Sequence, residues 1–426
     1  MLEHRNKRRA ETWDTMQLFF SLYNDHQIHA VISFNGHLDE QRLEKAASLT
    51  ADAVPVIKSR FVEHLLRAYW EEALVDHFVS LYATDDPEKE INRLITSTID
   101  ERSGPQLQIK IVRTPIADTL CILVNHMVCD AAGFKEYLYL LSETYTALAT
   151  NPGYKLQYSC GSRSMSQVFR AFGGWSGMLK ILMAPHGMSK HDCGLKFPLE
   201  GDLSHPFIVT RKLPGDRMWA IKSYGKTREA TINDVILAAY IRSLYNFLGL
   251  EDGARVVVPC AVDLRKYLPE RKAQGICNLT STIACEINHN SHDRFDETLK
   301  KVKRSMDTEK NSISCLSGPM KLEIFRWILP YKLFKRWLKK IFINPKIFMT
   351  NIGVIDKTKL SFGGFVSSAY LTGSIKYNPY FQLALTTFDD EITFSVNFYG
   401  TQNDRDRIED FLSLVEAELP ESGIRK

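Results

Sequence analysis

The stretch Leu120-Cys-Ile-Leu-Val-Asn125-His126-Met-Val-Cys-Asp130-Ala-Ala-Gly133 decides how the rest of the chain is read. Leu120 to Asn125 is an apolar run of strand character, and His126 sits just past its end. Asp130 follows four residues later, and Gly133 is expected to let the backbone turn. From there apolar residues recur as Phe134, Leu138, Leu141, Tyr145 and Leu148, the spacing of one helix face. The pattern predicts strand, polar turn and helix, with an imidazole and a carboxylate on the turn. A strand end fixed by a packed sheet can hold a base still while its ring reaches into a cleft.

Histidine followed four residues on by aspartate is weak as a bare spacing, because it also occurs at His289/Asp293 and His292/Asp296. Context separates them. Only the first has a strand before it and a glycine and an apolar helix after it. The stretch from His289 is rich in charge (Asp293, Arg294, Asp296, Glu297, Lys300, Lys301) and reads as a solvated helix start.

Asn125-His126-x-x-x-Asp130-Ala-Ala-Gly133 resembles the HHxxxDG signature of the chloramphenicol acetyltransferase-like superfamily. That superfamily includes nonribosomal peptide synthetase condensation domains, alcohol acyltransferases and wax-ester synthase-like enzymes. Two positions depart: Asn125 stands for the first histidine, and the glycine comes three residues after the aspartate. These departures lean toward a free-standing acyltransferase. Other segments resemble the superfamily in order along the chain. Ala53-Val-Pro55-Val-Ile-Lys58-Ser-Arg60-Phe61 is similar to its hPxLRTxF stretch, with Lys58 for the arginine; lysine offers a point charge instead of a planar fork. Thr231-Ile-Asn-Asp234 opens a "TxNDVxLAAxxRxL" helix with a capping-box-like start. The strand Arg255 to Asp263, followed by Leu264 and Arg265, resembles "PVxLR", and Met349 to Asp356 is a further family-like strand.

The resemblance runs from about residue 15 to 415. It implies an α/β (α+β) chain of two chloramphenicol acetyltransferase-like subdomains, 1–175 and 201–426, joined by a linker at 176–200. They would form a V-shaped pseudo-dimer with the active site in a tunnel at their interface. The Gly-, Ser- and Pro-punctuated stretch 151–206 agrees with such a boundary.

At 426 residues the chain suits two domains, each large enough to bury a core. A hydrophobic content of 44% and a charged content of 24% are those of an ordinary globular protein. The net charge of +4 and the lack of zinc-finger or RNP patterns argue against a nucleic-acid partner. Eight cysteines without a C-x-x-C pair read as buried free thiols in a reducing compartment. The start lacks an apolar h-region and no apolar run reaches spanning length, so a cytoplasmic location is expected. His186, His191 and Cys193 are close in sequence, but loop residues explain them better than a metal does, and no metal site is expected.

Residues 319–342 interleave seven lysines and arginines with Trp327, Phe334, Trp337 and aliphatic residues, broken at Pro330. Amphipathic helices packed on the domain explain this best. Peripheral contact with an anionic membrane, or covering of an acyl tunnel, is the functional alternative.

For chemistry, His126 is the expected general base, taking a proton from an alcohol or amine as it attacks an acyl thioester. Asp130 is expected to fix the turn by pairing with Arg265 rather than to act as a triad acid. Gly133 and Asn125 are second-tier members of the site. Asn351 is expected as a buried asparagine donating to substrate or oxyanion. No Gly-x-Ser-x-Gly elbow points to a covalent intermediate. The expected function is acyl transfer from acyl-CoA to a small-molecule alcohol or amine. The alternatives are a free-standing condensation enzyme drawing on a carrier protein's phosphopantetheine arm, or a catalytically silent relative that binds a carrier or membrane. No tightly bound cofactor is expected beside the thioester co-substrate.

Overall fold

The computed structural model describes residues 6–172, 174–184 and 194–421. The opening stretch folds as its pattern predicts, into strand Asp118–Asn125, a turn, and helix Ala131–Thr150. Phe134, Leu138, Leu141, Tyr145 and Leu148 are all buried. The strand lies at the centre of a five-stranded sheet, antiparallel to Gln27–Phe34 on one side and Leu107–Arg113 on the other. Val79–Ala83 and Val366–Thr372 form its edges.

The unbroken apolar run of Leu120 to Val124 follows from burial on both faces. Helices Glu40–Ala53 and Ala131–Thr150 cover one face, against Leu120, Ile122 and Val124. Helix Pro87–Ile95 covers the other, where Leu94 meets Cys121 and Val112. Each buried Leu, Ile or Val contributes about 1.5–3 kcal/mol relative to exposure, so the strand end carrying His126 is anchored by several such side chains.

The second sheet has six strands in the order Thr280–Asn288, Arg255–Asp263, Ile347–Ile355, Phe381–Phe388, Glu391–Tyr399 and Pro206–Leu213. Helix Ile232–Leu248 starts at the Thr231/Asp234 capping box and ends at Gly249, whose φ of 59° is left-handed. It packs on this sheet through Ile236 and Tyr240, beside Phe411 and Leu412 of helix Gln402–Glu418. The hairpin Phe381–Phe388/Glu391–Tyr399 turns at Asp389 and Asp390, both at positive φ, which aspartate tolerates. A small third sheet joins Lys7–Arg9, Tyr69–Glu72 and Ser59–Val62.

The two cores do not divide the chain at a single point. Val366–Thr372, late in the sequence, pairs antiparallel with Gln27–Phe34 and completes the first sheet. Met165, Val168, Phe169 and Ile181 pack in the core of the second sheet. The halves are therefore stitched together by exchanged segments.

Residues 275–279, just before strand Thr280–Asn288, are irregular. One sequence expectation needs correction. His289 directly follows strand Thr280–Asn288, so a strand precedes this pair too. It is buried, packed edge-on against Tyr245 with ring centroids 4.6 Å apart, so the stretch it opens is not wholly solvated. The helix after it begins only at Phe295.

Residues 319–342 form the end of helix Ser314–Ile328 and helix Tyr331–Ile341, joined at Leu329-Pro330. Phe334 and Leu338 bury one face against Met16 and Phe19, as an amphipathic pair requires. All seven described cysteines are free, and all but Cys160 are buried. Among the described residues no helix is long and apolar enough to cross a membrane, and no group of three metal-ligating side chains converges. His186, His191 and Cys193 lie outside the described residues.

Candidate active site

His126 is the first residue beyond strand Asp118–Asn125 and is held through its backbone from both sides. Its N–H donates to the carbonyl of His26 at 2.9 Å. Its own carbonyl accepts from Asn278 Nδ2 at 2.9 Å, and the same amide reaches Met127 O at 3.3 Å. Asn278 lies on the irregular segment before strand Thr280–Asn288, so the second half of the chain grips the turn directly. Arg163 adds a third hold. Its Nη2 donates to Met127 O and Val128 O at 2.9 and 3.0 Å, and Asp14 pairs with the same guanidinium at 2.8 Å. Trp70 Nε1 donates to Asp14 at 2.7 Å and fixes that carboxylate.

Asn125 is fully buried. Its Oδ1 accepts from Met127 N at 2.9 Å and so shapes the turn, while Nδ2 has no hydrogen-bond partner. Asn125 is thus a turn-forming amide.

Asp130 caps helix Ala131–Thr150, its Oδ1 accepting from Gly133 N at 2.8 Å. Its Oδ2 accepts from Arg265 Nη1 at 2.9 Å and from Leu279 N at 2.7 Å. Both residues are only 6% exposed, so this is a buried pair. Arg265 follows strand Arg255–Asp263, in the 3-10 turn Leu264–Tyr267, and its Nη2 also donates to Cys277 O at 2.9 Å. Burial alone would push the Asp130 carboxyl up; the Arg265 guanidinium and the Gly133 and Leu279 amides outweigh it and hold the pKa below the ordinary 3.8. No hydrogen bond links Asp130 to His126. The carboxylate locks the turn, as expected, and does not orient the ring.

Gly133 does its work differently from the expectation. It lies inside the first turn of the helix with an ordinary φ. Close approach is what excludes a side chain: a Cβ there would sit 2.9 Å from Cys277 O and 2.8 Å from Cys129 Cβ. The helix start and the 275–279 segment touch at this point.

His126 is half-buried, and its Nδ1 is buried without a hydrogen-bond partner. Asn278 Oδ1 is likewise buried and unpaired. Burial pushes the imidazole pKa below its ordinary 6.5, and the Lys376 ammonium acts in the same direction. The backbone of His126 itself, Asp130 and Asn278 oppose this without overcoming it. The imidazole is consequently neutral at neutral pH, the form that accepts a proton.

Lys376 was not anticipated. Its segment bridges Asn24 and Phe398, one residue past Ile375, whose carbonyl accepts from Asp25 N. Burial lowers its ammonium pKa to about 8, opposed by Asp25. Its one signal in the sequence is that it is the only charged residue between Lys359 and Asp389.

Asn351 is exposed, against expectation. It sits at a bulge in strand Ile347–Ile355, where Oδ1 accepts from Gly353 N at 2.8 Å and Nδ2 donates to Asn233 at 3.3 Å. The bulge turns the side chain out of the sheet, and no hydrogen bond ties it to His126 or Asp130. Lys58 is held between Asp52 and Glu72 at 2.7 Å each.

No protein-family model matches the sequence, and no curated protein matches it. Solved structures do match over nearly the whole chain. A trichothecene 15-O-acetyltransferase from Fusarium sporotrichioides superposes with a TM-score of 0.69 at 14% identity, covering 97% of this chain and 95% of its own. The first condensation domain of the calcium-dependent antibiotic synthetase, in complex with a substrate analogue, gives 0.68 at 16% identity, over 97% and 96%. Polyketide synthase associated protein 5 from Mycobacterium tuberculosis gives 0.67 at 13%, over 96% and 97%. The chain shares its mixed α/β fold with these acetyltransferase and condensation-domain structures.

Proposed function

We propose that this chain is an acyltransferase that moves an acyl group from a thioester to a small-molecule alcohol or amine, with His126 as the general base. The observation that carries the reading is the placement of His126 at the end of a central strand, on a turn gripped by both halves of the chain, where burial pushes the imidazole pKa below its ordinary value. The acceptor's oxygen or nitrogen attacks the thioester carbonyl as His126 takes its proton. A tetrahedral intermediate forms, the C–S bond breaks, and the imidazolium returns the proton to the leaving thiolate. Fixing the base before substrate arrives removes an ordering cost from the reaction step. Asn351 is the candidate amide for a contact to substrate or oxyanion, since among the described residues its exposed Nδ2 donates to the Asn233 side chain alone, at 3.3 Å. The reading calls for no resident cofactor.

The donor thioester is carried by CoA or by a carrier protein's phosphopantetheine arm. Whole-length likeness to an acetyltransferase supports a free acyl donor, and equal likeness to condensation domains favours a carrier-bound one as the second reading. Offering matched acyl-CoA and acyl-carrier donors with mixed alcohols and amines, and following ester or amide by mass spectrometry, separates them. Product from acyl-CoA alone supports the first reading; product only from carrier-bound donor supports the second. Product from neither, with folded protein, overturns both in favour of a silent binding protein.

A further inference from the structure

The junction of helices Ser314–Ile328 and Tyr331–Ile341 carries more than the packing of an amphipathic pair requires. Leu66 O accepts from Tyr331 N at 3.0 Å and Leu65 O from Lys332 N at 3.4 Å, bringing the turn between strands Ser59–Val62 and Tyr69–Glu72 onto this junction. Arg67 Nη1 and Nη2 donate to Arg326 O and Trp327 O at 2.7 Å each, and the Arg9 guanidinium lies 3.5 Å over the Trp327 ring. The side chains projecting there are apolar: Leu65 is 65% exposed, Ile328 68%, with Leu66, Trp327 and Leu333 also exposed beside them. Around this ridge the outer face of helix Tyr331–Ile341 presents Lys332, Arg336, Lys339 and Lys340, all exposed and none in an ion pair among the described residues. Beneath it Arg326 is buried, with all three guanidinium nitrogens lacking hydrogen-bond partners.

We infer that this ridge and its basic flank dock on an anionic lipid surface. Aliphatic and indole side chains raised above unpaired cations match a bilayer's layering, in which anionic headgroups overlie acyl chains. The stacked Arg9 and the forked Arg67 hold Trp327 at the rim, where an indole is favoured. The cations outnumber the nearby acids: Glu63 is already engaged by Lys335, Tyr331 and Arg102, which leaves Glu323, hydrogen-bonded by Trp327 Nε1, beside the four exposed cations. The inference does not depend on the reaction proposed for His126.

The test is co-sedimentation with vesicles of phosphatidylcholine alone and of phosphatidylcholine mixed with phosphatidylserine, at low and high salt. Wild type should partition onto the mixed vesicles and be released by salt. The combined Lys332→Glu, Arg336→Glu, Lys339→Glu and Lys340→Glu variant should lose binding by at least about a hundredfold. Leu65→Ser with Ile328→Ser should lose the fraction that resists salt, while Lys222→Glu with Lys226→Glu, on a distant exposed helix face, should bind like wild type. Thermal melts establish that the surface variants are folded. Wild type that stays in the supernatant overturns the inference. So does equal binding by the four-site variant, or salt-sensitive binding to an acidic acyl carrier protein but not to vesicles. A dimer in sedimentation that Leu65→Ser with Ile328→Ser dissolves would assign the ridge to a second copy instead.

Discussion

Asp130 and Arg265, 135 residues apart in the chain, meet as a buried ion pair at 2.9 Å. One caps the helix that follows His126; the other lies in the 3-10 turn just past a strand of the second sheet. The pair therefore couples the geometry of the turn to the seating of one sheet against the other. The other bonds to Asp130, from Gly133 N and Leu279 N, leave its carboxylate with partners on both oxygens.

Removing one partner of such a pair leaves the other charge buried. Arg265→Met or Asp130→Leu is expected to cost about 3–5 kcal/mol in urea unfolding, with the double substitution recovering part of it. A double variant as unstable as the sum of the single ones would contradict direct coupling.

The same pair sets an acid limit. The Asp130 pKa is depressed in the folded state, so its contribution is fully present above the unfolded value near 3.8 and is lost as pH falls through the folded value. Wild-type stability should fall on acidification below pH 3.8 more steeply than that of Asp130→Asn.

Gly133→Ala tests the close approach. In an open helix this change stabilises by up to about 1 kcal/mol. Here the new Cβ meets the Cys277 backbone, and we expect a loss of about 1–3 kcal/mol in melting experiments, with reduced turnover because the turn shifts. A stabilised, fully active variant would be incompatible with the contact.

Lys376→Met should raise the His126 pKa, since burial and the Lys376 charge both depress it and one is removed. The rise of kcat/KM with pH should lie below 6.5 in wild type and move upward in the variant. Ring-nitrogen NMR of His126 checks the shift without any substrate.

Asn278→Ala removes the amide that holds the carbonyls of His126 and Met127. Lost hydrogen bonds of about 0.5–1.5 kcal/mol each should lower the melting temperature modestly. Turnover should suffer more than stability, because the ring loses its alignment.

Much of this site was legible because its signals are local. The apolar run into Asn125, the helix face from Phe134 and the Thr231/Asp234 cap each lie within one element. Arg265 was found through family resemblance, and the structure brings it to Asp130 as expected. The members that escaped are those whose meaning depends on distant partners. Arg163, Asn278 and Lys376 are ordinary residues in unremarkable loops until the halves come together. Val366–Thr372 crosses to the first sheet, which no local pattern encodes. Gly133 was singled out for the wrong reason, since a glycine needed for close approach looks the same in sequence as one needed for a turn. Asn351 was expected buried because its flanks are apolar, but the bulge beside it exposes the side chain.

The central claim is that His126 accepts the acceptor's proton. Single-turnover acyl transfer by wild type, His126→Ala and His126→Gln, with melting curves to establish folding, tests it most directly. The account predicts folded variants whose rate of the chemical step falls by about a hundredfold or more, with donor binding retained. A folded His126→Ala protein that transfers acyl groups at the wild-type rate would contradict it.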